Sequence, residues 1–146
     1  MSATSSSSDI AISLSQYLPR AEVYVVTTPQ PAAEQVARLS AAMAAKVHME
    51  VKGVIENMSW FTGDDGTRYE LFGAGGGADL AARLEVPLLG QVPLVPALRE
   101  GADSAVPITV SEPDGEAAQV YAAIAERLDV ELAPTRRHHP ELRVLG

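Results

Sequence analysis

The sequence predicts an α/β protein, with a mostly parallel sheet, helices packed on it and one inserted hairpin. Two apolar runs rich in β-branched residues, Val23–Thr27 and Val51–Glu56, have the pattern of strands buried on both faces of a parallel sheet. A segment with helical periodicity lies between them, and short β-α-β joins favour right-handed parallel crossovers. A third run, Leu88–Val92, adds another short strand.

The amino-terminal part predicts a tail followed by a helix. Residues 1–8 are Ser-rich and typical of a flexible tail. Asp9 can cap a helix that continues to Leu18, where Pro19 ends it. The apolar face of this helix is formed by Ile10, Leu14, Tyr17 and Leu18.

The segment between the first two strands predicts a second helix. Pro31 suits its first turn, and the pattern continues to about Val47. The face expected to pack on the sheet consists of Val36, Leu39, Met43 and Val47, and the many alanines permit close packing. His48 is expected at the surface after this helix.

A hairpin and a glycine-rich loop follow the second strand. The turn signal Gly63–Gly66 separates 60–62 from Arg68–Phe72, which predicts a β-hairpin. Gly73–Gly77 is the glycine-rich loop, and a short helix over 78–84 should turn Leu80 and Leu84 inward.

The remaining elements are helical. Pro96–Glu100 predicts one helical turn. Ser111–Asp114 resembles a capping box that opens a helix to Leu128. Its apolar face is formed by Val120, Ile124 and Leu128. Residues 133–146 contain two prolines and a basic cluster, and predict a second flexible tail.

Composition places the chain among single-domain globular proteins. It has 146 residues, of which 47% are hydrophobic and 21% charged, and we assign the domain to residues 9–132.

The chain contains no cysteine, which excludes disulfides and thiolate ligands from this sequence. A net charge of −8 argues against a nucleic-acid partner. No apolar run has membrane-spanning length, and residues 1–8 lack a signal pattern, so we expect no membrane association and a cytoplasmic location.

Several segments occur in the order found in one protein family. They are DIAISLSQ from Asp9, VVTTPQPAA from Val25, GVIENMS from Gly53, FGAGGG from Phe72, VPLLGQVPL from Val86 and REGADSAVP from Arg99. This ordered set resembles the Mrp/ApbC-type iron–sulfur cluster carrier ATPases, which belong to the ParA/MinD-like deviant P-loop class. The resemblance covers about residues 9–128. It implies the carboxyl-terminal half of a P-loop NTPase-like domain, from a homodimeric protein that delivers clusters to client proteins with the use of ATP and Mg²⁺.

The resemblance implies an adenine-side site at Asn57, Pro93 and Leu94. Asn57 ends the second predicted strand, and ligands bind at the carboxyl ends of strands in open parallel sheets. Its amide can donate to and accept from a purine edge, although the residues alone equally allow a turn cap. In the family this Asn contacts the adenine, and the segment at Pro93-Leu94 packs against it. The family usually has Asp where this chain has Val95, so that polar role is lost.

Three family features are absent from this sequence. No G-x-x-x-x-G-K-[ST] motif occurs. Of the family segment D-x-P-P-G-T-G-D, which senses the γ-phosphate and Mg²⁺, only Asp9 remains, and a helix cap explains it. The hairpin tip, where cluster-carrying members place Cys-x-x-Cys, reads Thr62–Thr67 without a thiol. We therefore expect a truncated or separately encoded half that binds ATP weakly through the base, does not hydrolyse it alone and holds no iron–sulfur cluster.

Other candidate sites are weaker. Gly73–Gly77 precedes a helix, whose N-terminus can bind anions, but it lacks the Lys and Ser/Thr of a P-loop. Close backbone passage or a mobile lid is the favoured interpretation. Asp64 and Asp65 are adjacent carboxylates without converging oxygens, which is a poor cation site. The neighbours His138 and His139 do not predict a metal site, and no catalytic residue is predicted.

Two alternative functions stay open. One is a protein-interaction module without a nucleotide role, which would use Trp60 and Phe61 of the hairpin as exposed contacts. The other is a half-enzyme completed by an upstream polypeptide with a P-loop. In either case one side of the sheet is expected to need covering, by self-association or by a P-loop-bearing partner.

Overall fold

The computed structural model describes residues 7–18 and 20–132, and it confirms the α/β prediction. The strands of its main sheet are β1 (Glu22–Thr27), β2 (Glu50–Glu56) and β5 (Leu88–Gln91), all parallel, in the order β1-β2-β5. The hairpin strands are β3 (Phe61–Thr62) and β4 (Arg68–Tyr69). The helices are α1 (Ser7–Tyr17), α2 (Pro31–Lys46), α3 (Gly76–Leu84), α4 (Pro96–Ser104), α5 (Ile108–Ser111) and α6 (Glu116–Val130).

The register of the sheet brings the carboxyl ends of its strands to one edge. Thr27 lies beside Glu56, and Glu56 lies beside Gln91. Because the strands are parallel, the loops that follow them also start at this edge. The segments that begin at Thr28, Asn57 and Val92 are therefore neighbours.

Helices cover both faces of the sheet. On one face α2 and α3 bury Ala37, Ala41, Leu80 and Ala81 against Val25 and Val54. On the other face Ile124 of α6 packs with Leu89 and Val92. Gly90 permits this close approach, since a Cβ there would lie 2.6 Å from Cγ1 of Ile124. The two cores arise because strands buried on both faces need cover on each side.

The predicted packing face of α2 is wrong in part. Val36 and Leu39 are 64% and 63% exposed, whereas the buried residues are Ala37, Ala41 and Ala44. Small side chains let the helix axis lie close to the strands. Val36 and Leu39 then remain exposed on the side of β1, which is an edge strand among the described residues.

The first helix also departs from its prediction. Because α1 begins at Ser7, Asp9 lies inside the helix and is not its N-cap. The expected apolar face is open at its carboxyl end, where Tyr17 is 83% and Leu18 55% exposed. The predicted amino-terminal tail falls mostly on residues 1–6, and together with residues 133–146, including His138 and His139, these lie outside the described residues.

Several boundaries in the second half of the chain differ from prediction. Helix α3 starts at Gly76, and α4 continues to Ser104 instead of making one turn. The capping box at Ser111 is wrong: Ser111 ends α5, and Gly115 is the N-cap of α6. Ser111 belongs to α5 because its backbone N–H donates to the carbonyl of Pro107 at 3.1 Å, and Ile108 at the start of that helix is buried in the core. The hairpin is confirmed, with Phe61 opposite Tyr69, but its second strand ends before Glu70. None of the described helices is long and apolar enough to cross a membrane.

Candidate functional site

A groove of about 890 Å³ lies at the carboxyl edge of the sheet, between the strand ends and helices α4 to α6. We call it the base groove after the adenine-side site that the sequence resemblance implies, because Asn57, Pro93 and Leu94 all line it. The structure thus brings the three predicted site residues together. The other lining residues are mostly apolar: Met58, Val95, Leu98, Arg99, Gly101, Ala102, Ala105, Val106, Pro107, Ile108, Thr109, Tyr121 and Ala125. A mostly apolar cleft with few polar groups is typical of small-molecule sites.

Asn57 is held at the mouth of the base groove by two short contacts. Its backbone N–H donates to the carbonyl of Thr27 at 2.7 Å. Its Oδ1 accepts the N–H of Met58 at 2.9 Å, and Met58 has a positive φ of 56°. The side-chain NH₂ donates to no residue that the structure describes. The amide is therefore oriented, and its donors are available to a ligand.

Backbone pairing continues past the ends of β2 and β5 and places Pro93 and Leu94. The N–H of Val92 donates to the carbonyl of Glu56 at 2.7 Å, and the N–H of Ser59 donates back to Val92 at 3.0 Å. Leu94 then donates to the carbonyl of Trp60 at 2.7 Å. Pro93 is fully buried, so this wall of the groove is rigid.

The carboxyl-terminal helices supply residues that sequence reasoning did not assign to the site. Tyr121 and Ala125 lie one helical turn apart on α6 and form part of the groove wall. Arg99 is exposed on α4, lines the groove and forms no ion pair with a described residue. Val95 is the N-cap residue of α4 and makes no side-chain cap, whereas an Asp there would supply one. The four-residue spacing of Tyr121 and Ala125 was the available signal, but it does not say which cavity they face.

The glycine-rich loop is packed against the sheet by an internal carboxylate. Glu56 is 1% exposed, and its Oε2 accepts the N–H of Gly77 at 2.6 Å in the first turn of α3. A Cβ at Gly77 would lie 2.7 Å from Cβ of Glu56, and one at Gly76 would lie 2.6 Å from the carbonyl oxygen of Pro29. Gly75 is the N-cap with φ +87°. The glycines therefore serve close backbone passage, and Glu56 takes a position that an anion would need.

The hairpin is fastened to α6 by Glu116. Its Oε1 accepts from Nε1 of Trp60 at 3.0 Å and from the Arg68 guanidinium at 2.8 Å, and its Oε2 accepts from Oγ1 of Thr62 at 2.9 Å. Arg68 also lies 4.3 Å from the ring centre of Trp60, within cation–π range. Trp60 and Phe61 are half-buried, so they are not the free aromatic pair that an interaction module would present.

The tip of the hairpin is an exposed turn. Asp65 accepts the backbone N–H of Thr67 at 2.9 Å and its hydroxyl at 2.8 Å. The hydrogen bond from the Thr67 backbone, followed by that from its hydroxyl, lowers the pKa of Asp65 below its ordinary value.

No group of three or more potential metal-ligating side chains occurs within residues 7–18 and 20–132. His48 is exposed after α2, with a positive φ of 60°.

A second groove, of about 490 Å³, runs along β1 and α2. It is lined by Val23, Val26, Ala33, Val36 and Ser40 among others, and Asn57 lines it as well. Val26 is 59% exposed on a strand that pairs on one edge alone among the described residues. We call this surface the β1–α2 groove. It is apolar and borders the base groove at Asn57.

Comparison with known proteins identifies the family of this fold. Residues 5–129 match the family model described as ParA, NUBPL iron-transfer P-loop NTPase. A relative from Mycobacterium tuberculosis named iron-sulfur cluster carrier protein is 43% identical over 145 residues, covering 88% of this chain and 38% of the relative. The protein of that name from Escherichia coli is 38% identical over 125 residues, covering 85% and 34%. The chain thus spans little more than a third of the length of these relatives.

Solved structures show the same architecture. The cell division ATPase MinD of Pyrococcus furiosus superposes with a TM-score of 0.60 at 21% identity, covering 75% of this chain and 43% of MinD. A nucleotide-binding protein from Archaeoglobus fulgidus, solved in complex with ADP, gives 0.57 at 25% identity, covering 72% and 42%. These likenesses agree with the α/β fold class and with a match to part of a larger domain.

Proposed function

The chain belongs to the ParA family of NUBPL-type iron-transfer P-loop NTPases, and on that premise we propose that it forms the base-binding part of an Mrp-like iron–sulfur cluster carrier. The observation that carries the proposal is the convergence of Asn57, Pro93 and Leu94 on one apolar groove. The ligand would be ATP, held here through its adenine. The site lies at the carboxyl edge of a parallel sheet, where nucleotide ligands commonly bind.

The chemistry of the base groove suits a purine. Its walls are apolar, and Asn57 has an oriented amide whose NH₂ group is available. A purine ring offers acceptor nitrogens to such a donor, and the partly exposed Leu94 and Leu98 provide apolar surface beside it. One hydrogen bond of this kind contributes about 1 kcal/mol. The base alone would therefore be bound weakly.

The described residues do not fit the phosphates or Mg²⁺. The glycine-rich loop before α3 resembles a phosphate cradle, but the N–H of Gly77 in the first turn of that helix is engaged by Glu56. The sequence contains no G-x-x-x-x-G-K-[ST] motif. Phosphoryl transfer depends on a phosphate cradle and a metal ion. We therefore assign hydrolysis to a polypeptide segment outside this sequence and no catalytic residue to this chain.

A P-loop-bearing segment would pack against the β1–α2 groove. The exposed Val26, Val36 and Leu39 make this side of the sheet apolar, and β1 has a free edge among the described strands. An exposed apolar strand edge favours pairing with another strand. The partner would be joined to this chain or separate from it, or a second copy would occupy the surface. The half-enzyme alternative is therefore favoured over an interaction module that uses Trp60, which Glu116 already holds.

The cargo of the family is an iron–sulfur cluster, and this sequence has no cysteine to ligate it. We propose that the chain itself holds no stable cluster. Any cluster would be ligated elsewhere in a dimeric carrier, which would act on iron–sulfur client proteins in the cytoplasm.

Calorimetric titration of the chain with adenosine and with Mg-ATP tests the proposal. We expect weak binding of both with similar affinity, and no phosphate release from Mg-ATP above a buffer blank. The absence of adenosine binding would refute the base-binding function. ATP affinity far above that of adenosine would reveal a phosphate site in this chain.

A further inference from the structure

Glu56 is a buried carboxylate that joins three elements beside the base groove. Its Oε1 accepts from Oγ of Ser59 and from Nε2 of Gln91, both at 2.8 Å, and its Oε2 accepts the N–H of Gly77. These donors belong to the turn after β2, the last residue of β5 and the first turn of α3. The carboxylate therefore ties two strand ends to one helix start.

The elements that Glu56 joins carry the candidate site residues. Asn57 is the next residue in the chain, and Gln91 precedes Pro93 by two positions. Glu56 itself does not line the base groove. We propose that Glu56 is the positioning residue of this groove, acting on a purine ligand through Asn57 and Pro93. The inference rests on the proposed base-binding function.

Two properties of Glu56 contribute to this role, and they can be separated. Its length lets one carboxylate reach Gln91 and Gly77 together. The other property is its charge, which faces the first-turn N–H of Gly77 in α3 and forms no ion pair with a described residue. Positioning depends on the length. A neutral side chain of equal length should thus maintain the groove, and a shorter charged one should not.

Glutamine and aspartate separate length from charge. In Glu56→Gln the amide oxygen can still accept from Gly77, and the amide nitrogen can donate to Gln91 once that residue flips its own amide. Glu56→Asp retains the charge but is one methylene shorter, so it cannot reach both sides. Glu56→Ala leaves the N–H of Gly77 and the amide of Gln91 without this acceptor.

Adenosine affinity, measured by NMR titration of the whole chain, tests the inference. Glu56→Ala and Glu56→Asp should bind about tenfold more weakly than wild type, since buried donors lose their acceptor. Glu56→Gln should stay within about threefold. In an Asn57→Ala background, Glu56→Ala should cause a smaller further loss, because a residue that acts through Asn57 is not additive with it.

Two further measurements keep the outcome decisive. The amide hydrogen of Gly77 should exchange faster with solvent in Glu56→Ala and Glu56→Asp but not in Glu56→Gln, which reports the contact without any ligand. Glu34→Gln is the matched control, since Glu34 pairs with Arg83 of α3 at 3.4 Å and does not line the base groove. It should leave adenosine affinity unchanged.

If Glu56→Ala does not fold, Gln91→Ala removes one of the three donors to Glu56, and about threefold weaker adenosine binding is expected.

The failures of the two proposals differ. The positioning role would be overturned, with base binding intact, if Glu56→Asp and Glu56→Ala bound adenosine as tightly as wild type. It would also be overturned if Glu56→Gln and Glu56→Asp lost adenosine affinity equally. A wild-type chain that does not bind adenosine would overturn both, even if exchange at Gly77 behaves as expected.

Discussion

Nε1 of Trp60 lies 3.0 Å from Oε1 of Glu116, a bond between residues 56 positions apart in the chain. Arg68 and Thr62 donate to the same carboxylate, so three donors in and beside the hairpin converge on the first residue of α6. Trp60 also accepts the N–H of Leu94, which lines the base groove. The hairpin and the groove are thus parts of one hydrogen-bonded unit.

Replacing Glu116 should loosen the hairpin. Glu116→Ala removes the acceptor of three donors, and we expect the free energy of unfolding to fall by about 1–2 kcal/mol, since these groups are only partly buried. Trp60 is the only tryptophan, so its emission should shift to longer wavelength in the folded variant. Denaturant unfolding monitored by Trp60 fluorescence measures both effects. Glu126→Ala, an exposed site on the same helix, is the control and should change neither.

Asn57→Ala should weaken adenosine binding several-fold. The substitution removes the oriented amide of the base groove, and the loss of one such hydrogen bond costs about 1 kcal/mol. Calorimetric titration gives the affinity. Ser40→Ala, in the β1–α2 groove but outside the base groove, is the control. Equal affinities for wild type and Asn57→Ala would remove Asn57 from the site.

Gly77→Ala should destabilise the fold more than Gly73→Ala. The new Cβ at position 77 would meet Cβ and Oε2 of Glu56 at 2.7 and 2.8 Å, inside a buried contact. We expect a loss of about 3 kcal/mol from overpacking. At Gly73 the space is open and only its φ of +88° is strained, which costs about 1–2 kcal/mol. Thermal unfolding compares the two variants, and the reverse order would contradict the packing of the glycine-rich loop.

The pKa of the Asp65 carboxyl should lie below its ordinary value, because the backbone N–H and then the hydroxyl of Thr67 donate to the charged form. A folded-state pKa below the unfolded value means that the contribution to stability is present above the unfolded pKa. It is lost as the pH falls through the folded pKa. Thr67→Val removes the hydroxyl donor but not the backbone donor, so the Asp65 midpoint should rise only part of the way. NMR titration of the side-chain carboxyl checks this, and an unchanged midpoint in Thr67→Val would contradict the role of the hydroxyl.

Val26→Lys should reduce association through the β1–α2 groove. A charge at this exposed edge position opposes burial against another strand. Sedimentation of wild type is expected to show self-association that Val26→Lys weakens. A polypeptide carrying the P-loop strand should raise the unfolding temperature of wild type by mass action and that of the variant less. Val130→Lys, at an exposed residue far along α6, is the control. A strictly monomeric wild type that no such polypeptide stabilises would argue against this interface.

Local pattern was enough to predict the sheet, whereas the grouping of Asn57, Pro93 and Leu94 as one site came from the family resemblance. Val23–Thr27, Val51–Glu56 and Leu88–Val92 are continuous apolar runs, and each corresponds to a strand. The carboxyl ends of three parallel strands share one edge, and the pairing of β2 with β5, which the structure decides, places Asn57 near Pro93. The family resemblance drawn from the ordered motifs was confirmed by the family match over residues 5–129.

The tertiary structure alone decided which face of α2 is buried, where α6 begins and what holds the glycine-rich loop. The periodicity of α2 suits either Val36 and Leu39 or the alanines, and the close approach to the sheet selects Ala37 and Ala41. The bonds of Glu56 to Gly77 and of Glu116 to Trp60 join residues 21 and 56 positions apart. Such contacts depend on how separate elements pack, and no local pattern encodes the distance between them.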